Sequence, residues 1–389
     1  MPGKKGHEGD SASFLKHGRR SPQVPSGINA GNVVFEGKDE GWGKRSSPVP
    51  EFGREGITVT ANSLLRVQGL KTFFYTEEGV VRAVDGVDFY LNPEETFGIV
   101  GESGCGKSVT ALSLLRLIPQ PPGKIVSGDL IYKEENLLSL PLERMRQIRG
   151  KDISMIFQEP MTSLNPLITI GRQISEAIQL HEGVGRREAL ERAVEMLHVV
   201  GIPSPQKRIY DYPHQLSGGM RQRVMIAMAL SCSPHILIAD EPTTALDVTI
   251  QAQILRLISD LQRKVGMAVI LITHNLGIVA QNARRVAVMY MGKIVEEADV
   301  QGLFGDPLHP YTRGLLKSLP NFYKDSVQKD RLVEIPGVVG NLLNPPPGCY
   351  FSPRCPYTHD ICQQEEPPLR EAGSGHGVRC WLLQEGGRS

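Results

Sequence analysis

The sequence predicts an α/β fold with a mostly parallel sheet, and three observations carry that expectation. The stretch Gly101–Ser108 reads Gly-Glu-Ser-Gly-Cys-Gly-Lys-Ser, between a β-prone run at Thr96–Val100 and a helix-like run at Val109–Leu115. Two further apolar runs, Ile236–Ala239 and Ala268–Thr273, end abruptly in polar groups, at Asp240-Glu241 and at His274. Between those runs Ile250, Ile254, Leu255, Ile258 and Leu261 recur on one helical face. Strands alternating with helices build a parallel sheet and place ligand-binding groups at the carboxyl ends of the strands.

The 389 residues suffice for two or three domains. Basic and acidic residues balance, 43 against 42, which argues against a general nucleic-acid binder. A hydrophobic content of 40% suits a globular protein with a sizeable core. No apolar run approaches the ~18 residues that span a bilayer. The basic N-terminus is not followed by the apolar segment of a secretory signal. The expected location is cytoplasmic, with any membrane attachment made through a partner.

Residues 1–60 are expected to form a disordered extension. Gly, Pro and Ser fill 22 of those 60 positions and the large apolar residues lack a period, so burial cannot offset the ordering entropy. From Ser63 the pattern turns strand-like. The segments from Leu64 to Leu70, Val80 to Val84 and Val87 to Leu91 read as short strands of an antiparallel sheet, with a turn at Glu77-Glu78-Gly79. Phe97–Val100 opens a separate, buried sheet. Residues 150–158 read as a strand that ends at Gln158 and is stopped by Pro160. Two helical pieces follow between 170 and 201, one with Ile174, Ala177 and Ile178 on a face, the other with Leu190, Ala193, Val194 and Leu197. Gly201-Ile202-Pro203 breaks that run. Leu216-Ser217-Gly218-Gly219 then leads into a helix through Leu230.

Several of these stretches have a chemical reading. The Gly101–Ser108 pattern is that of a phosphate-binding loop, in which glycines let backbone N–H groups converge on an anion. The following helix adds a partial positive charge. Lys107 would reach the β- and γ-phosphates of a nucleotide, and the Ser108 hydroxyl would ligate Mg2+. Asp240 would hold Mg2+ directly or through water, and Glu241 would orient and deprotonate the attacking water. One acid there could merely cap a strand; two adjacent acids in a chain with a phosphate loop read as a site. Gln158 alone reads as a solvated residue and His274 alone as a structural histidine. At the same end of the sheet as the loop, Gln158 could reach Mg2+ and the attacking water, and His274 could contact a γ-phosphate. Ser217-Gly218-Gly219 opens a helix and is a second anion site. One nucleotide does not need two cradles in one subunit, so the second is expected to serve a nucleotide held by another subunit.

With these motifs in this order, residues 62 to 300 resemble the ABC-type ATPases. The resemblance implies a P-loop NTPase fold of ABC type at 61–305: a mostly parallel sheet core, an antiparallel β subdomain and a small helical subdomain at about 159–216. It implies ATP and Mg2+ as ligands. Gly101, Ser103, Gly104, Cys105, Gly106, Lys107, Ser108 and Val109 would be the Walker A contacts, Gln158 the Q-loop, and Ser217, Gly218 and Gly219 the signature. Asp240 and Glu241 would be Walker B, Asp247 the D-loop and His274 the H-loop. Phe74 best matches the aromatic that stacks on adenine, with Tyr75 the alternative. The family implies a head-to-tail dimer with two ATPs between Walker A of one subunit and the signature of the other, and membrane subunits meeting the stretch around Gln158. Only 58 residues separate Gln158 from Ser217, too few for the long coiled coils of the chromosome-maintenance branch, and the chain has one cassette where translation-factor types have two.

Beyond the cassette, Pro307-Leu308-His309-Pro310-Tyr311-Thr312-Arg313-Gly314, Ile335-Pro336-Gly337 and Pro345-Pro346-Pro347-Gly348-Cys349 resemble the C-terminal extension of oligopeptide and dipeptide importer ATPases. That extension would occupy 306–389. The run Arg221-Gln222-Arg223-Val224-Met225-Ile226-Ala227 looks like the D-type subunit. This narrower resemblance implies a heterodimer with a distinct F-type ATPase, two transmembrane permease subunits and an extracytoplasmic substrate-binding protein. The chain would then lie peripherally on the cytoplasmic face of the cell membrane.

Cys349, Cys355, Cys362 and Cys380 crowd the tail, with gaps of five, six and seventeen residues. Disulfides are not expected in the cytosol. Four thiolates could hold zinc or an iron–sulfur cluster, and the gaps are wider than those usual for structural zinc. Importers of this family carry a [4Fe-4S] cluster on a similar pattern, so the resemblance implies that cluster, in a structural role, with zinc or free thiols as the alternatives. Cys105 is a variable loop position and Cys232 reads as packing. Taken together, the sequence is expected to encode the ATP-hydrolysing subunit of a peptide importer. Nickel or sugar cargo is one alternative. A regulatory ATP-binding subunit with weak hydrolysis is another, against which the intact Glu241, Gln158 and His274 argue.

Overall fold

An antiparallel hairpin opens the described chain. The computed structural model describes residues 63–159, 163–244, 246–319, 334–373 and 375–383; the expected disordered extension at 1–60 and the strand stop at Pro160 lie outside them. Strands β1 (Leu65–Thr76) and β2 (Gly79–Leu91) bury Leu65, Val67 and Leu70 against Val84, Val87, Phe89 and Leu91. Strand β1 lies between β2 and β4 (Gly123–Tyr132), antiparallel to both, and β5 (Glu135–Asn136) pairs with β4. The two short strands expected at Val80–Val84 and Val87–Leu91 are one continuous strand. Gly69 (φ +56°) and Gly86 (φ +80°) sit where the β1–β2 register slips, so a bulge absorbs what reads in the sequence as a break.

The second sheet is parallel where the chemistry lies. Strands β6 (Ile153–Ile156), β7 (Ile236–Asp240), β8 (Ala268–Thr273), β3 (Thr96–Val100) and β9 (Arg285–Tyr290) follow one another in that spatial order, each parallel to its neighbour. Strand β10 (Lys293–Asp299) turns back antiparallel to β9. Strands β7 and β8 are buried along their whole length, as apolar strands covered on both faces must be. The carboxyl ends of β3, β6, β7 and β8 emerge on one edge, where the loop after Val100, Gln158, Glu241 and His274 follow.

Helix α1 (Lys107–Leu114) leaves that loop, and α2 (Leu142–Ile148) follows the antiparallel sheet. Helices α3 (Ile170–Glu182) and α4 (Arg186–Val199), joined through Gly183, bury Ile170, Ile174, Ile178, Ala189, Ala193 and Leu197 in one apolar cluster. The short α5 (Pro205–Arg208) ends this insert, and α6 (Gly218–Leu230) and α7 (Val248–Val265) add Val224, Ile226, Ile254, Ile258 and Leu261 to the same cluster. Each fully buried Val, Leu or Ile side chain contributes about 1.5–3 kcal/mol.

Past β8, α8 (Leu276–Asn282), α9 (Val300–Gly305) and α10 (Pro310–Lys317) lead into the tail. The tail is built onto the cassette. The rings of Tyr311 and Phe351 pack on Tyr290, with centroids 4.7 and 5.3 Å away. After α11 (Asp360–Gln364), strands β11 (Arg370–Glu371) and β12 (Gly377–Val378) extend the second sheet beyond β10. The fully buried Glu296 carboxylate accepts the N–H of Leu308 at 2.7 Å and of His309 at 3.0 Å, and pairs with His376 Nε2 at 2.8 Å. Among the described residues no helix is long and apolar enough to cross a membrane.

Candidate functional site

The loop between β3 and α1 has the shape its glycines dictate. At Gly101 (φ +155°) a Cβ would stand 2.2 Å from the Met289 carbonyl oxygen, and at Gly106 (φ +102°) 2.2 Å from that of Ala83. Any side chain there would force the loop away from β2 and β9. Lys107 is buried; its Nζ donates to the carbonyls of Gly101 and Glu102, each at 2.9 Å, and lies 3.7 Å from Cys105 Sγ. The helix begins at Gly106 without a side-chain cap, and such N–H groups suit an anion. Burial raises the Cys105 thiol above its ordinary pKa, so it stays a packed, neutral group beneath the loop.

Ser108, on the first turn of α1, donates its hydroxyl to Asp240 Oδ1 at 3.1 Å, joining the loop to the end of β7. Burial holds the Asp240 carboxyl above its usual range, aided by the Glu241 charge and opposed by the Ser108 hydroxyl. A buried carboxylate and a hydroxyl are hard oxygen donors, the set that Mg2+ takes.

One residue on, Glu241 leaves the strand with φ +45°, a left-handed conformation that costs a non-glycine residue about 1–3 kcal/mol. The turn aims its carboxylate at three partners. His274 Nδ1 lies 3.2 Å from Oε1, Gln158 Nε2 donates to Oε2 at 3.2 Å, and the Thr244 hydroxyl donates to Oε2 at 2.9 Å. Burial would raise this carboxyl, but the hydrogen bonds from His274 and Thr244 outweigh it and the net shift is downward. The downward shift keeps this carboxylate ionised and so free to accept a proton, while lowering its basicity. Sequence reasoning missed Thr244; its place three residues after Glu241, in a turn closed by the Thr244 N–H on the Glu241 carbonyl at 3.1 Å, is the signal.

The other predicted residues make their own local contacts. Ser217 caps α6 by accepting the Met220 N–H at 3.4 Å, and Asp247 caps α7 by accepting the Ile250 N–H at 3.0 Å. Gly218 and Gly219 face Leu246 and Ile250 rather than the loop. Gln222 ties α6 to the Glu241 turn, donating to the Pro242 carbonyl at 2.6 Å. On β1, Phe74 is half-buried with its ring edge against Gly123, whereas Tyr75 is 50% exposed. Ser103 and Gly104 lie on the exposed side of the loop and Val109 is half-buried in α1.

The four tail cysteines are not gathered into a metal-holding group among the described residues. Among the described residues no group of three or more His, Cys, Asp or Glu side chains is placed to hold a metal ion, and all six cysteines are free. The four tail thiols nevertheless share one neighbourhood. Burial first, then the charges of Cys380, Cys362 and Cys355, pushes the Cys349 thiol up to about 12. Burial, then Cys355 and Cys362, pushes Cys380 up to about 11. Backbone N–H groups two residues on, at Phe351, Tyr357 and Leu382, face the sulfurs of Cys349, Cys355 and Cys380 and work against that rise. Cys232 packs as expected, buried and donating to the Ala177 carbonyl at 3.6 Å.

Comparison with known proteins identifies the family. Residues 84–244 match the family described as ABC transporter, and residues 295–362 match the oligopeptide/dipeptide transporter C-terminal region. The chain is 57% identical over 325 residues to the "Probable peptide ABC transporter ATP-binding protein y4tR" of Sinorhizobium fredii, covering 84% of this chain and 96% of that one. It is 51% identical to the dipeptide transport ATP-binding protein DppD of Bacillus subtilis, covering 83% and 95%. A solved dimer of the ATP-binding cassette MJ0796, in a post-hydrolysis state with ADP and Pi, superposes with a TM-score of 0.55 at 26% identity, covering 61% of this chain and 99% of that one. With an ABC cassette, the oligopeptide C-terminal region and relatives above half identity over most of its length, the chain belongs to the ATP-binding proteins of the oligopeptide/dipeptide ABC transporter family.

Proposed function

We propose that this chain hydrolyses ATP to power import of di- or oligopeptides, as a peripheral subunit on the cytoplasmic face of a membrane transporter with permease and substrate-binding partners. The observation that carries the reading is the convergence of Gln158, Thr244 and His274 on the Glu241 carboxylate, one residue from the Ser108–Asp240 pair. In this reading Lys107 exchanges the Gly101 and Glu102 carbonyls for the β- and γ-phosphates, and the loop N–H groups from Gly101 to Val109 hold the rest. Ser108, Gln158 and Asp240 would hold Mg2+, which would supply charge neutralisation at the phosphates. Glu241 takes the proton of the attacking water, and His274 both steadies that carboxylate and faces the γ-phosphate. Phe74, the half-buried ring, stacks on adenine.

Ser217, Gly218, Gly219 and Asp247 act across a dimer interface. Ser217 and Asp247 are each engaged only as helix caps in this subunit, which supports that assignment, and the MJ0796 cassette has a dimeric structure. The partner is a distinct F-type ATPase. The division of labour follows the chain: an extension at 1–60, the cassette at 61–305 with its helical insert at about 159–216, and the tail at 306–389. The tail cysteines 349, 355, 362 and 380 bind a [4Fe-4S] cluster of structural role. Thiolates at these positions would repel one another, and a cationic iron–sulfur core, with N–H groups facing three of the sulfurs, would relieve that repulsion.

Reconstitution with the permease partners in vesicles tests the function. Peptide uptake should require ATP and stop in Lys107→Ala. Uptake that continues without ATP, or in that variant, would overturn the reading.

A further inference from the structure

The tail reaches the nucleotide loop itself. Arg354, in the short turn of Ser352–Arg354 just before Cys355, lies 252 residues from its partner Glu102, the second residue of the loop. Its guanidinium grips the Glu102 carboxylate with both prongs, Nη1 to Oε2 at 2.8 Å and Nη2 to Oε1 at 3.1 Å. Two further donors go to the tail's own backbone, Nε to the Pro336 carbonyl at 3.0 Å and Nη2 to that of Ile335 at 3.3 Å, and the guanidinium also meets the Tyr290 side chain on β9. The Arg354 side chain is 5% exposed and that of Glu102 28%. The Glu102 N–H also donates to the Tyr311 hydroxyl at 2.9 Å. A neighbouring contact runs parallel: the Tyr350 hydroxyl donates to Asp85 Oδ2 at 2.9 Å, two residues along β2 from the Ala83 carbonyl that abuts Gly106.

Glu102 is an awkward residue in this place. Its carbonyl already accepts from Lys107, so its carboxylate sits on the same few residues that would receive a polyanion. An unpaired carboxylate there would repel phosphates, whereas a two-pronged arginine pair cancels its charge and fixes its direction. We propose that Arg354 of the tail is a positioning residue for the loop, which sets the affinity of the chain for ATP by keeping the Glu102 carboxylate paired and turned from the phosphates. This rests on the reading of Gly101–Ser108 as the nucleotide loop. The tail is then part of the ATP site, and a tail that loses its seat lowers ATP affinity without any change in the cassette sequence.

The test is equilibrium binding of a fluorescent ATP analogue with Mg2+ to the full chain, in wild type, Arg354→Gln, Glu102→Gln, the double variant and Lys107→Ala. Arg354→Gln should weaken binding about ten-fold, the size expected for one charge left unpaired near another. The double variant should return to within about three-fold of wild type, because the unpaired charge is gone. In the assembled transporter Arg354→Gln should raise KM for ATP and leave kcat at saturating ATP unchanged. Should Arg354→Gln not fold, Arg354→Lys carries the test: a single-pronged partner should weaken binding about three-fold, with recovery on adding Glu102→Gln. Wild-type binding in the Arg354 variants overturns the proposal. So does a double variant as weak as the single, since the pair would then only seat the tail. Loss of binding in Lys107→Ala alone would leave the loop reading standing and sink this one; wild-type binding in Lys107→Ala would sink both.

Discussion

His309 makes the seating of the tail sensitive to acid. The residue is 1% exposed, its Nδ1 accepts the Tyr311 N–H at 3.1 Å, and Phe351 packs beside its ring at 5.7 Å. Burial lowers its pKa from 6.5 to about 4; the Glu296 carboxylate opposes this and Arg313 adds to it. In the unfolded chain the same imidazole titrates near 6.5. Above pH 6.5 both states carry it neutral, and its packing contributes in full. Between pH 6.5 and 4 the unfolded chain takes a proton that the native chain refuses. Stability therefore falls with falling pH by about 1.4 kcal/mol per pH unit, reaching about 3 kcal/mol at pH 4. His309→Asn keeps an acceptor for the Tyr311 N–H and cannot titrate. In a Trp42→Phe background Trp381, buried in the tail, is the single indole. Urea unfolding followed by its fluorescence should show the advantage of wild type over His309→Asn shrinking by about 2 kcal/mol between pH 7.5 and 5. Parallel pH profiles for the two proteins would refute the reasoning.

Three further outcomes follow from the same contacts. Gly101→Ala places a methyl group 2.2 Å from the Met289 carbonyl; it should cost roughly 2 kcal/mol or more in thermal unfolding and abolish ATP binding, and a stable variant that binds ATP would contradict the loop geometry. Thr244→Val removes a donor that holds the Glu241 carboxyl low. Its pKa should rise, moving the acidic limb of the ATPase pH profile to higher pH, and an unmoved limb would show that Thr244 does not tune the base. Anaerobic purification should yield about four iron per chain with broad visible absorption, lost in Cys362→Ser; zinc, or no metal, would contradict the cluster.

Much of the site was legible because it sits where buried strands end. Strand β8 occupies the predicted Ala268–Thr273, and β7 ends at Asp240 with Glu241 just past it. Apolar runs covered on both faces announce themselves, and the first polar residue after each is forced to the edge. Strand β4 at Gly123–Tyr132 was not singled out, because its side chains are half-exposed for much of its length and give no apolar run. Val80–Leu91 reads as two strands because Gly86 resembles a turn when it is a bulge in β2. The helix after the loop starts at Lys107 rather than Val109, since two polar residues hide the first turn from any hydrophobic period. Strand β6 ends at Ile156, two residues short of Gln158, which leaves that side chain on a loop able to reach Glu241. The Arg354–Glu102 pair spans 252 positions, and no local pattern records such a contact.

The most direct test of the account is the ATPase rate of the assembled transporter with Glu241→Gln. Glutamine keeps the size of the side chain and can no longer take a proton. The account predicts a loss of about 10²–10⁴ in rate with ATP binding retained. A rate equal to wild type would contradict the assignment of Glu241 as the base, and with it the reading of this site as the centre of hydrolysis.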